Sequence, residues 1–214
     1  MGLRRRWSAF VRTAGGRGNA LGVFDELDRR YCESGRHYHT WRHVAACLRE
    51  LRRARPAGRA SLELALWFHD AVYEPGRPDS EERSAALASR WASELGLAGE
   101  IGSRAAGLIL ATRHEDAGVA PASAEEALIR DIDLAVLGAP WAGYLRYERQ
   151  IAREYSGLPA ERFRQGRARL LRGLLARPAI YATPSFRKRL ERRARRNLLR
   201  AALRLERQAK SGRR

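Results

Sequence analysis

Apolar residues recur along most of the chain at steps of three and four, the period that gathers side chains on one face of an α-helix. Period-two alternation of β-branched or aromatic residues never lasts beyond a few positions, so strands are not expected. The pattern predicts helices over about 19–33, 40–54, 60–73, 80–95, 99–113, 123–137, 141–155, 160–176 and 184–209. Their breaks fall where Gly, Pro, Asp and Ser collect, at residues 56–58, 74–80, 115–123 and 138–140. The expected fold class is all-α, a single compact multi-helix bundle. Its last helix carries Phe186, Leu190, Ala194, Leu198, Ala201 and Leu205 as one stripe with arginines around the rest, a basic amphipathic C-terminal helix that packs on the body. This reading sets residues 1–18 apart as a basic N-terminal arm, 19–203 as the helical domain and 204–214 as a basic tail.

Composition narrows the class. A chain of 214 residues with 44% hydrophobic residues can bury a substantial core. No run approaches the apolar length of a membrane-spanning helix, and no membrane partner is expected. The start MGLRRRWSAFVR is basic but has no apolar core behind it, and Arg6 stands where an acylation signal needs Ser or Thr. A cytoplasmic location follows as the default expectation. Cys32 and Cys47 are too few for a disulfide framework and form no Cys-x-x-Cys pair, so both are expected as small buried apolar residues.

The net charge of +18 admits an anionic partner, yet its distribution is uneven. Residues 186–214 hold thirteen Arg or Lys against Glu191 and Glu206, a net +11 in one segment. Such a face is either solvated or lies on nucleic acid through the basic C-terminal helix. Phe186 is the only aromatic residue there, which gives little to stack on bases.

The histidines carry the chemistry. Three crowd into GRHYHTWRHV, where His39 and His43 are four apart and would share a helix face, while His37 points elsewhere and is expected at the surface. His-x-x-x-His alone is a weak metal signal. In SLELALWFHDAV, Leu64, Phe68 and Val72 form a buried stripe, with His69 about 100° round from it and Asp70 turned further out. Pro75 must end that helix, which puts His69-Asp70 in its last turn. Helix C-terminal carbonyls favour a cation and disfavour a lone carboxylate. Asp70 therefore calls for a positive neighbour, a divalent metal or an arginine. In EEALIRDIDLAVLG, Ile129, Ile132 and Val136 face inward, so Asp133 is the carboxylate better placed to enter a site, and Asp131 is expected to meet water or arginine.

Taken in order, His43, His69-Asp70 and Asp133 resemble the H…HD…D signature of the HD superfamily of metal-dependent phosphohydrolases. Within it the chain is similar to a small bacterial group of predicted HD phosphohydrolases over roughly residues 19–203. The HD dipeptide means little alone, and the ordered set means much more. The resemblance implies His43, His69, Asp70 and Asp133 as ligands of a divalent ion (Mn, Fe, Co, Mg or Zn) that activates water against a phosphoester or phosphoanhydride. YHTWRHVAACL also resembles the YHNxxHAxxV segment of cyclic nucleotide phosphodiesterases, which implies His39 as general acid, with Thr40 in place of the usual Asn. Glu81, in SEERSA, matches an acidic position of the group and is its candidate base, with Glu82 beside it. Arg36 and His114 are candidate contacts to the phosphorylated substrate. A Gly-rich phosphate loop and a Gly-x-Ser-x-Gly elbow are both missing. The expected function is a metal-dependent phosphohydrolase acting on a nucleotide or other small phosphorylated compound. The alternative is a non-catalytic helical protein that binds nucleic acid or senses a ligand, with a structural metal.

Overall fold

The computed structural model describes residues 2–113 and 120–211, with side chains up to residue 207. The fold is all-α, and no strand occurs among the described residues. The helices are α1 (Leu3–Thr13), α2 (Ala20–Tyr31), α3 (Trp41–Ala54), α4 (Arg59–Phe68), α5 (Ser80–Glu94), α6 (Gly99–Leu110), α7 (Ala124–Asp133), α8 (Trp141–Glu154), α9 (Ala160–Ala176) and α10 (Pro184–Ser211), with a 3₁₀ segment at Leu134–Gly138. Among the described residues no helix is long and apolar enough to cross a membrane. The chain forms two compact units, Met1–Arg113 and His114–Arg214.

In the first unit α4 is the centre. Gly58 enters it in the left-handed region at φ 67°, and every residue from Ser61 to Phe68 is buried among α3, α5 and α6. A helix buried all round has no single inward stripe, so the angular offset expected for His69 does not apply. Glu63 is buried too, and its carboxylate is held by Arg59 at 2.9 Å and Arg6 at 3.3 Å.

Arg6 lies on α1, a helix in the stretch set apart from its sequence as a basic arm. Trp7, Phe10 and Val11 are buried on it. Trp7 donates its indole N–H to the Ala20 carbonyl at 2.7 Å and meets Trp67 edge-on at 5.3 Å. The α1–α2 loop is fixed as well, because Arg17 and Gly18 both donate to the Leu95 carbonyl at the end of α5. A Cβ on Gly18 would stand 2.4 Å from the Glu94 carbonyl oxygen, so the approach requires glycine.

In the second unit the helix expected over 123–137 stops as an α-helix at Asp133 and tightens into the 3₁₀ segment. Donors from the α10 region take its carbonyls: Tyr181 Oη bonds Leu134, Asn197 bonds Leu137 and Ala139, and Arg193 bonds Gly138. A Cβ on Gly138 would lie 2.7 Å from Leu190 Cβ, which shows how closely α10 crosses. The apolar stripe read along α10 is buried at Phe186, Ala194, Leu198 and Ala201. Asp131 departs from its expected exposed setting. It is 1% exposed, and its carboxylate accepts from the Ala182 and Thr183 amides at 2.7 Å and the Thr183 hydroxyl at 2.6 Å, tying α7 to the start of α10. Burial pushes the Asp131 carboxyl up, against these bonds and the charge of Arg187.

Candidate metal centre

The site is built at the C-terminal end of α4. Helix ends leave carbonyls without intrahelical partners, and here each finds a named donor. The His69 amide bonds Ala65, His69 Nδ1 lies 3.2 Å from the Leu66 carbonyl, Tyr31 Oη donates to Trp67 at 2.9 Å, and the Ala71 amide bonds Phe68 at 2.8 Å. The helix therefore ends at Phe68, earlier than the Pro75 limit expected from sequence. His69 is its C-cap and Asp70 lies just beyond.

Arg36 secures the turn that follows. Its guanidinium donates to the carbonyls of His39 (3.2 Å), Asp70 (2.5 Å) and Ala71 (3.0 Å), and its Nε to Glu33 at 2.9 Å. It is only 7% exposed. The fork expected to contact substrate is engaged by the backbone on either side of the site.

α3 brings up the facing wall. Thr40 caps it through its hydroxyl, which accepts from the Arg42 amide at 3.3 Å. His39 precedes the cap and is not on the helix, so the shared helical face expected for His39 and His43 does not form. The rings nevertheless meet edge-on at 5.9 Å, and His39 packs on Tyr73 at 4.0 Å. His37 is half-buried instead of surface-exposed.

His43, His69 and Asp70 converge. His43 Nε2 is 2.9 Å from His69 Nε2, and Asp70 Oδ2 is 3.2 Å from the first and 3.0 Å from the second. Both imidazoles are buried. The Leu66 carbonyl can only accept, so the His69 proton sits on Nδ1 and Nε2 turns a lone pair inward. Asp70 Oδ2 is buried without a well-directed hydrogen bond. With neutral imidazoles only His43 has a proton to share among three inward donor atoms, an arrangement that a cation resolves. Separations of 2.9–3.2 Å match the ~3.0 Å between neighbouring donors on an octahedral ion with bonds of about 2.1 Å. The residues present therefore fit a divalent metal.

Burial pushes the Asp70 carboxyl up, but the imidazoles of His69, His39 and His43 hold it well below the usual carboxylate range. Cys47, one turn along α3 from His43, adds a donor that sequence reading treated as mere packing. Its Sγ is 3.6 Å from His43 Nε2, and it groups with His43 and His69 as a possible metal-holding cluster. Burial raises its pKa, and His43 and His69 more than reverse this, leaving the thiol below its ordinary value. The signal was the i, i+4 spacing from His43. Cys32, also expected to be buried, is exposed, with its sulfur 3.7 Å from Asp28.

Glu81 lies half-buried in the first turn of α5. Burial raises its carboxyl, and the charges of Asp70 and Glu82 add to that. Glu82 is exposed and paired with Arg113, whereas Glu81 feels the charge of Asp70. Asp133 is the last residue of α7, half-buried in the second unit. His114 lies outside the described residues. No family model, curated protein or solved structure matches the chain.

Proposed function

We propose that the chain is a metal-dependent phosphohydrolase of HD type that cleaves a phosphoester or phosphoanhydride of a nucleotide or other small phosphorylated compound. The observation that carries the reading is the convergence of His43 Nε2, His69 Nε2 and Asp70 Oδ2 within 2.9–3.2 Å, on residues that the ordered signature also selects. A divalent ion bound there would supply Lewis acidity, lowering the pKa of water and offsetting charge on phosphoryl oxygens.

The chain's own residues have separable tasks. The Leu66 carbonyl fixes the His69 tautomer, and Arg36 holds the backbone of Asp70. His39, packed on Tyr73, donates a proton to the departing oxygen, a role worth typically about 10² to 10⁴ in rate. Glu81 orients the attacking water and accepts its proton.

A second reading, a non-catalytic helix that binds nucleic acid, is favoured by Lys188, Arg192 and Arg196, which lie exposed at four-residue steps on α10. One experiment separates the two. Metal content of the purified protein is measured beside phosphate release from nucleotides and sugar phosphates, for wild type, His69→Ala and Asp70→Ala. Bound divalent metal and phosphate release in the wild type, both lost in the variants, are expected. A metal-free wild type indistinguishable from the variants overturns the reading, and a salt-sensitive nucleic-acid shift without phosphate release favours the second.

A further inference from the structure

Cys47 is the one donor at the centre that the H…HD…D order does not use. It is 2% exposed, and the four-residue step from His43 puts both side chains on one face of α3. Its sulfur lies 3.6 Å from Nε2 and 3.8 Å from Nδ1 of His43, and within 4.8 Å of the donor atoms of His43 and His69. A nitrogen and a thiolate sulfur on one ion, with bonds of about 2.05 and 2.3 Å, stand about 3.1 Å apart at an octahedral angle and about 3.6 Å apart at a tetrahedral one. Magnesium has no use for such a donor, whereas zinc, cobalt and ferrous iron accept both imidazole and thiolate.

We infer that Cys47 is a metal ligand beside His43, His69 and Asp70, and that it makes the centre a thiophilic site selecting Zn²⁺, Co²⁺ or Fe²⁺ over Mg²⁺. This rests on the metal-centre reading above and adds the class of ion. As the sulfur–metal bond forms, the thiol loses its proton to solvent. The oxygen-only ligand sets that suit magnesium are not what this pocket offers, since two imidazoles and a sulfur stand beside Asp70.

The test is titration of the full chain with Co²⁺, followed by absorbance. Visible d–d bands report that cobalt is held, and a near-ultraviolet sulfur-to-cobalt charge-transfer band reports thiolate ligation. Wild type and Cys32→Ser should show both, so the exposed thiol is not the source. Cys47→Ser should keep the d–d bands, lose the charge-transfer band and lose at least ~10-fold of its preference for Zn²⁺ over Mg²⁺ in competition. Wild-type d–d bands without charge transfer, or a charge-transfer band that survives Cys47→Ser, overturn the role of Cys47 and leave the metal centre standing. The absence of both features in the wild type overturns the centre as well.

Discussion

At the scale of single residues, Arg36 is held by backbone where a ligand was expected. Its fork joins the carbonyl of His39, ahead of α3, to those of Asp70 and Ala71, after α4, so one side chain aligns both walls of the metal centre. Arg36→Ala should destabilise the fold by about 2–4 kcal/mol, because it leaves buried carbonyls unsatisfied. It should also lower metal content, and Arg36→Lys should recover little of either, since an ammonium cannot span the three acceptors. Urea unfolding and metal analysis check this, and unchanged stability with only a raised KM would instead favour the substrate role. His69 and Asp70 stood out in the sequence because an apolar helix ending in adjacent polar residues is costly without a cation, and His43 through the ordered resemblance. The roles of Arg36 and Cys47 did not, since they depend on the path of the turn after Phe68 and on which face of α3 meets it.

At the scale of elements, the periodicity located the helices from α2 to α10, and its failures have local causes. Two helices stop early because side chains take over their carbonyls: Tyr31 and His69 at the end of α4, Tyr181 and Asn197 along the segment after α7. Such long-range donors leave no mark in a local window. α1 did leave one, in Leu3, Trp7, Phe10 and Val11 at helical spacing, but the arginines among them read as a solvated arm. Trp7 packs against Trp67 and Phe68, directly behind His69, so α1 buttresses the helix that presents the ligand. Trp7→Ala should therefore cost about 3–5 kcal/mol. It should also loosen metal binding, although Trp7 touches none of the donors. Denaturant titration with parallel metal analysis measures both, and a variant of wild-type stability would show α1 to be dispensable.

At the scale of the whole molecule, the +18 charge overstates the cation available to a partner. Arg6 and Arg36 in the first unit, and Arg167, Arg193 and Arg195 in the second, are engaged with carboxylates or backbone carbonyls. The outer face of α10, with Lys188, Arg192 and Arg196 exposed, is the concentrated basic surface on which the nucleic-acid reading rests. The metal centre bears on stability in a separate way. His43, His69 and Asp70 point donor atoms at one another in the buried middle of the first unit, so an ion bound there would relieve an unfavourable cluster and its removal would restore it. An ion present at about 100 times its Kd adds about 2.7 kcal/mol to the folded state. For a protein of this length that corresponds to roughly 5–10 °C in Tm. Thermal unfolding with and without EDTA should show a drop of that order in wild type and none in His69→Ala, whose Tm should already sit near the chelated value. Equal Tm with and without chelator in the wild type would mean that the native state holds no ion there and that His43, Asp70 and His69 resolve their contacts with shared protons alone.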